Sequence, residues 1–134
     1  MTKKLAHIGI AVESLDDWIP YYRDVLGLEF LGTEVIPEQK VKVAFLKLGE
    51  GSIELLEPTS DESPISKFLQ SRGSGIHHLA IQVDDIEDEL EKHRNASARL
   101  IDNEPRIGAH DMKIAFIHPK TTGGVLVELC QNSE

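Results

Sequence analysis

Two histidines and two glutamates recur at matching places in two apolar stretches of this 134-residue sequence. His7 begins the run HIGIAV, and His78 begins the similar run HLAIQV 71 residues later. Glu54 lies in the run IEL, and Glu128 lies in the run VEL 74 residues later. Imidazoles and carboxylates together suit a borderline divalent ion with open positions for water or substrate oxygens: Co²⁺, Mn²⁺, Ni²⁺, Zn²⁺ or Fe²⁺. The pattern indicates such a metal site, or else a solvated polar face without chemistry.

The spacing within each apolar run predicts which way these side chains point. Successive side chains of a β-strand lie on opposite faces, so the large aliphatic residues share one face. His7 faces the other way, with the small residues Gly9 and Ala11 beside it. His78 has the same relation to its neighbours, and each glutamate lies between two aliphatic residues that point away from it. We therefore expect all four polar side chains on the concave side of a sheet, where small neighbours leave room for a cleft.

The elements that must hold these residues occur in the same order in each half of the chain. Each half reads as strand, helix and three strands, with the histidine on the first strand and the glutamate on the last. Ser14 is expected to cap the first helix, Gly27 to end it, and Pro20 to kink it. The predicted strands lie at 5–12, 28–36, 41–48, 52–57, 76–83, 98–101, 113–118 and 125–130, and further helices lie at 63–71 and 85–95.

Length and composition restrict the class of protein. A chain of 134 residues with 40% hydrophobic residues predicts one domain with a real core. Its net charge of −9 argues against a general nucleic-acid binder or a polybasic membrane-surface protein. One cysteine, Cys130, excludes a disulfide framework. No apolar run approaches the ~18 residues of a membrane span, and the start does not resemble a secretory signal, so we expect a cytoplasmic protein.

Several motifs carry a family resemblance that covers almost the whole chain. The sequence resembles the vicinal oxygen chelate superfamily and, within it, the methylmalonyl-CoA epimerase family. The N-terminal strand and the run YRDVLGL are general to the superfamily, whereas Pro-Glu-Gln, the His-His strand and the C-terminal runs are more specific together. The motifs are HIGIAV (7–12), YRDVLGL (22–28), PEQ (37–39), IELLEP (53–58), GIHHLAIQVDDI (75–86), DNEPRIGAHD (102–111), FIHPK (116–120) and GVLVEL (124–129).

This resemblance implies an α+β fold in a single domain, residues 1–134. Two tandem βαβββ modules, at about 5–57 and 76–130, would form a half-barrel sheet around a metal cleft. It implies that His7, Glu54, His78 and Glu128 are the ligands of a divalent metal ion, with Glu54 standing where some relatives carry glutamine. Glu38 falls at the carboxylate that the family offers as a general base. Small members of the superfamily commonly form homodimers.

The implied reaction interconverts the (R) and (S) forms of methylmalonyl-CoA through an enolate. A metal stabilises the developing negative charge, Glu38 removes the proton, and either Glu128 or a bound water returns it on the opposite face. Two other functions share the fold: a glyoxalase-like lyase or isomerase acting on a thiol adduct, and a non-catalytic small-molecule binding protein. The CoA diphosphate would have four candidate cations: Lys40, Lys42, Arg106 and Lys120.

Overall fold

The computed structural model of the protein describes residues 3–132. The chain forms two compact units, one of residues 7–77 and one of residues 3–6 with 78–132. Each unit contains the order β-α-β-β-β, and the first unit has a further helix after its last strand. The predicted α+β class with tandem modules is confirmed. The organisation into a single domain stays a prediction. Within the described residues, no helix is long and apolar enough to cross a membrane.

The first unit pairs its four strands in the order β2-β3-β4-β1. Strands β1 and β4 are parallel, whereas β2·β3 and β3·β4 are antiparallel. A hairpin turn at 49–50 joins β3 to β4. The bounds are β1 Lys4–Ala11, α1 Leu15–Pro20, β2 Glu29–Ile36, β3 Val41–Leu48, β4 Gly51–Pro58 and α2 Pro64–Arg72.

The second unit repeats this arrangement in the order β5-β8-β7-β6, again with its first and last strands parallel. The predicted strand at 98–101 is wrong, because only Leu100 forms a bridge there, to Ile117. A two-residue strand, β6, pairs with β7 in its place, and its shortness hid it from a periodicity argument. The bounds are β5 Gly75–Gln82, α3 Ile86–Asn95, β6 Arg106–Ile107, β7 Lys113–Ile117 and β8 Val127–Gln131.

The aliphatic face of each first strand packs under a helix, as alternation predicts. In the first unit, Ile8, Ile10 and Val12 join a cluster with Leu15 and Ile19 of α1. In the second unit, the equivalent face of β5 packs against α3, through the cluster that includes Ile81, Val83, Ile86 and Leu90. Burying these branched side chains on one face leaves the opposite face of each strand to the polar residues.

The opposite face of β5 is more filled than the sequence suggested. Ala80 is fully buried there and packs in a second apolar cluster with Ile114 and Cys130. Phe116 and Met112 border this cluster. The small residue that was expected to leave room for a cleft therefore admits side chains from β7 instead.

The first helix is capped differently from its predicted form, and it stops just before Gly27 as predicted. Ser14 makes no side-chain capping bond; instead Glu57 Oε1 accepts a hydrogen bond from the Leu15 N–H at 2.7 Å. A carboxylate at the end of β4 adds a full negative charge to the positive end of the helix, which Ser14 would not supply. The irregularity expected at Pro20 is confirmed, because the α-helix ends there and continues as one π-helical segment, Tyr21–Val25.

Candidate functional site

The first unit places His7 beside Glu54. His7 Nδ1 lies 3.0 Å from Glu54 Oε2, and each side chain is only 11% exposed. The two come together because β1 and β4 are parallel and Glu54 is the Cα partner of Gly9, two residues beyond the histidine. Because Gly9 has no side chain, nothing on β1 stands between the Glu54 carboxylate and the His7 imidazole.

The second unit places His78 beside Glu128 in the same way. His78 Nε2 lies 3.0 Å from Glu128 Oε1, and the side chains are 6% and 8% exposed. Glu128 is the Cα partner of Ala80, again two residues beyond the histidine. The two modules thus repeat one register, with a small residue opposite the glutamate. They use different imidazole nitrogens, Nδ1 of His7 and Nε2 of His78.

Each His–Glu pair has the chemistry and the spacing of two metal ligands. Imidazole nitrogens and carboxylate oxygens bind borderline divalent ions at about 2.0–2.2 Å. Two donors at ~2.1 Å and at right angles to each other would be ~3.0 Å apart, which is the N···O separation in both pairs. The same separation serves a hydrogen bond, and no fully buried side-chain N or O atom of residues 3–132 lacks a partner. The donor set therefore fits a divalent ion, and without one the partners satisfy each other.

An aromatic and ionic network adjoins the second pair, and the sequence analysis missed it. The Phe116 ring meets His78 edge to face, with centroids 5.6 Å apart. The Arg106 guanidinium lies over the Phe116 ring, 5.5 Å from its centroid. Asp102 joins the two, since Oδ1 lies 3.2 Å from Arg106 Nε and Oδ2 accepts the Phe116 N–H at 2.8 Å. Phe116 lies opposite Glu128 in the β7·β8 ladder, a register that the sequence alone does not give.

Glu38 lies on an exposed turn of the first unit. It is the middle residue of a 3₁₀ turn, Pro37–Gln39, between β2 and β3. The turn ends at Lys40, a non-glycine residue in the left-handed region with φ 54°. Such a conformation is strained and persists only where its surroundings hold it. A carboxylate on a fixed, exposed turn can act on a bound ligand.

Two further residues singled out by the sequence have structural surroundings. His77 points away from the His78 face and packs edge to face on Phe68 of α2, with ring centroids 5.0 Å apart. Cys130 is buried, and its thiol donates to the Ile81 carbonyl at 3.6 Å. A buried thiol in apolar surroundings is poorly reactive, as the sequence predicted.

Comparison with known proteins decides the family. The sequence model of the Glyoxalase/Bleomycin resistance protein/Dioxygenase superfamily matches residues 6–116. The chain belongs to this superfamily. An ethylmalonyl-CoA/methylmalonyl-CoA epimerase of Cereibacter sphaeroides is 40% identical over 98% of this chain and 99% of its own length. The resemblance to the methylmalonyl-CoA epimerase family of this superfamily is confirmed.

Two more similar proteins align with nearly the whole chain. An uncharacterized protein of Bacillus subtilis, YqjC, is 47% identical over 96% of this chain and 91% of its own length. A solved structure of methylmalonyl-CoA epimerase in complex with methylmalonyl-CoA and NH4+ is 37% identical. It matches with a TM-score of 0.94 and covers 99% of this chain and 96% of its own. The predicted fold class is confirmed by these comparisons.

Proposed function

We propose that this protein is a methylmalonyl-CoA epimerase, an isomerase that interconverts the (R) and (S) forms of its substrate. The observation that carries the proposal is the 40% identity to a named epimerase over nearly the full length of both chains. The two buried His–Glu pairs support it, because they supply donors suited to a metal in a protein of this superfamily. The lyase and the non-catalytic alternatives are not favoured, since the named epimerases are 37–40% identical over nearly the whole chain, whereas a lactoylglutathione lyase is 28% identical.

We infer that His7, Glu54, His78 and Glu128 together bind one divalent ion. The repeated register and the burial of both pairs support this, since buried carboxylates are favourable when a cation or a hydrogen bond compensates them. When bound, the ion supplies Lewis-acid stabilisation of the negative charge that develops on the thioester oxygen. The donor set accommodates Co²⁺, Mn²⁺, Ni²⁺, Zn²⁺ or Fe²⁺.

The chain's own residues then move the proton. Glu38, as a carboxylate, takes the proton from the carbon between the thioester and the carboxylate of the substrate. The C–H electron pair passes into the enolate, and the carbon becomes flat. We assign the return of a proton on the opposite face to Glu128, which would begin the turnover with a proton on the carboxyl oxygen that is not used as a ligand and end it as a carboxylate. The roles reverse for the other direction. Exchange with solvent resets both carboxyl groups between turnovers, so the proton count balances.

Solvent-deuterium exchange tests the proposed function most directly. Methylmalonyl-CoA of one configuration is incubated with the purified protein in D₂O and followed by mass spectrometry. We expect one deuterium to enter at the α-carbon as the optical activity falls. The proposal fails if a fully folded, metal-supplemented protein leaves both the mass and the configuration unchanged over hours, compared with a no-enzyme control.

We also propose that the protein is a homodimer that works in the cytoplasm. Strand β2 ends the sheet of its unit, and Leu31 and Val35 are exposed along it at 55% and 52%. A free sheet edge with exposed aliphatic residues invites pairing, and association of two copies would cover it. A single, buried cysteine agrees with a reducing compartment.

A further inference from the structure

Asp102 bonds the main chain of Phe116 at two points in the second unit. Its Oδ2 atom accepts the Phe116 N–H at 2.8 Å, and its own N–H donates to the Phe116 carbonyl at 3.2 Å. The partners of β6 on β7 are Lys113 and Ile114, two residues short of Phe116. Asp102 therefore serves Phe116 as a strand partner would, and it fixes the direction in which the ring leaves β7.

The same carboxylate holds Arg106 over the Phe116 ring. Oδ1 of Asp102 lies 3.2 Å from Arg106 Nε, and the guanidinium carbon lies 5.5 Å from the ring centroid, within the range of a cation–π contact. Phe116 is only half-buried, so the arginine covers part of a ring that would otherwise contact water. One carboxylate thus fixes both the ring and the cation that lies on it.

The Phe116 ring in turn borders both members of the second His–Glu pair. It meets the His78 imidazole edge to face, with an interplanar angle of 85°, and its residue is the Cα partner of Glu128. An imidazole can turn about two side-chain torsions, whereas a metal ligand must present one nitrogen in a fixed direction. A ring held in place beside His78 limits this rotation and keeps water from the pair.

The first module also places a phenylalanine opposite its glutamate. Phe45 is the Cα partner of Glu54 in the β3·β4 ladder, as Phe116 is of Glu128 in the β7·β8 ladder. Phe45 is 5% exposed, so the fold itself encloses the first ring. The second ring is only half-buried, and the paired Asp102 and Arg106 side chains lie where it needs support.

We propose that Asp102 and Arg106 are positioning residues, which hold Phe116 against His78 and so orient this imidazole for the metal ion. This role rests on the metal site of the proposed epimerase. Groups that orient a metal ligand from outside typically change metal affinity by about 10–100-fold. Arg106 is also one of the four candidate cations for the CoA diphosphate. In that role its guanidinium would serve a phosphate instead of Asp102, and the experiments separate the two roles.

The double variant Asp102→Ala/Arg106→Gln removes the whole support. Its Kd for Co²⁺, measured by calorimetry, should rise by about tenfold or more. The visible absorption spectrum of the Co²⁺-saturated protein should also change, because it reports the arrangement of the ligands. With Co²⁺ saturating, kcat should fall by a similar factor for methylmalonyl-CoA and for methylmalonyl-pantetheine, which has no phosphate.

The matched control is Arg23→Gln/Asp24→Ala. It removes another Arg–Asp ion pair, whose arginine is 44% exposed compared with 43% for Arg106. It should leave the Co²⁺ affinity within about twofold of the wild-type value and the spectrum unchanged. Among single variants, Arg106→Lys should bind Co²⁺ more tightly than Arg106→Gln, because lysine keeps a cation that can lie over the ring.

Proton NMR of the metal-free protein gives a readout that needs neither metal nor turnover. A nuclear Overhauser effect between the ring protons of Phe116 and His78 should be present in the wild type and in the control, and weakened in the double variant Asp102→Ala/Arg106→Gln.

Three results would overturn the proposal. The first is an unchanged Overhauser effect in that double variant. The second is a lower urea midpoint with a wild-type Co²⁺ affinity and spectrum, which would make the support merely structural. The third is a rise of KM for methylmalonyl-CoA alone with an unchanged Co²⁺ affinity, which would assign Arg106 to a phosphate. If the wild type binds Co²⁺ but exchanges no deuterium, the proposed function alone fails. If it binds no Co²⁺, the proposed metal site fails, and the Overhauser effect still decides whether the support exists.

Discussion

The Ser63 hydroxyl donates a hydrogen bond to the Gln39 carbonyl, 3.3 Å away and 24 positions earlier in the chain. The same oxygen accepts the Ile65 N–H at 3.2 Å and so caps helix α2. Ser63 is fully buried. One hydroxyl therefore joins the start of α2 to the turn that carries Glu38. Around it, the Thr59 N–H donates to the Lys40 carbonyl at 2.9 Å and tightens the same connection.

Replacing Ser63 should slow the proposed reaction through Glu38. Ser63→Ala loses both bonds and should lower the free energy of unfolding by about 1–2 kcal/mol. Ser63→Gly is the matched variant, since glycine at a helix N-cap costs only a few tenths of a kcal/mol but has no donor for Gln39. Both variants should lower kcat to a similar extent, whereas the larger loss of helix capping should appear only with alanine. Urea unfolding measures the loss of stability, and deuterium exchange measures the loss of activity. A wild-type kcat for Ser63→Gly would show that Ser63 does not position the turn that carries Glu38.

Glu38→Gln should separate proton transfer from binding. The amide keeps the shape of the side chain and removes its basicity, so deuterium exchange should fall by about 10²-fold or more. Metal content and substrate affinity should stay at wild-type levels. The exposed Glu87 of α3 provides the control, and Glu87→Gln should exchange at the wild-type rate. Near-normal exchange by Glu38→Gln would transfer the base to Glu128 or a bound water, and a loss of metal would make Glu38 a ligand.

The double variant His7→Ala/His78→Ala should lose the metal. In the wild type, Co²⁺ at about a hundredfold excess over Kd should stabilise the fold by about 2.7 kcal/mol, or roughly 5–10 °C in Tm. The double variant should show neither this shift nor bound metal by elemental analysis after purification without chelator. His93→Ala, on the polar helix α3, serves as the control and should keep both. Full metal content and full activity in the double variant would contradict the four-ligand assignment.

Glu89 should make stability depend on pH in the acid range. Burial acts to raise the pKa of Glu89, but hydrogen bonds and charge from Lys3 and Lys92 outweigh it and hold the pKa below its ordinary value. The folded state thus favours the carboxylate, so this contribution is present above the ordinary carboxyl pKa and is lost as pH falls through the lowered one. Both lysines are largely exposed, at 46% and 67%, so Glu89→Gln should cost only about 0.5–1 kcal/mol at pH 7.

Urea unfolding of the wild type and Glu89→Gln at a series of pH values checks this linkage. The difference between the two should shrink as the pH is lowered from 5 towards 3, and 1 M NaCl at pH 7 should reduce it. A difference that stays constant across this range would assign the effect of the substitution to packing instead of charge.

Sedimentation equilibrium at micromolar protein tests the proposed dimer. The expected mass is twice the 14.9 kDa of the chain. Pairing through a free sheet edge buries main-chain groups as well as aliphatic side chains, so the mass should be insensitive to salt. A mass near 14.9 kDa would exclude the dimer under these conditions.

Strand alternation and the internal repeat were sufficient to place the histidine and the glutamate of each module on the same face of its strands, whereas their direct pairing came from the structure. That inference works because the side-chain period of a strand is fixed and a buried face specifies its register. The contacts that depend on tertiary placement were not accessible in the same way. Glu57 of β4 replaces Ser14 as the cap of α1, and Arg106 of β6 lies over Phe116 of β7, because the pairing of strands brings these residues together. The role of Glu38 as a base was predicted only from the family resemblance. A single exposed carboxylate is common in any sequence, and no spacing to other residues marks this one as catalytic.

The common register of the two His–Glu pairs has a counterpart in the turns that precede the third strand of each module. The first turn, Pro37–Gln39, carries a carboxylate at its centre, and the second, Ala109–Asp111, carries a histidine. The two modules thus carry the same pair of donors, and they differ in the residue at the centre of this turn. In the proposed reaction the α-carbon becomes planar in the middle of each turnover, so the group that removes the proton and the group that returns it act on opposite faces. Because the two modules differ at these turns, the chain carries a carboxylate at one and an imidazole at the other, where an exact repeat would carry the same group twice.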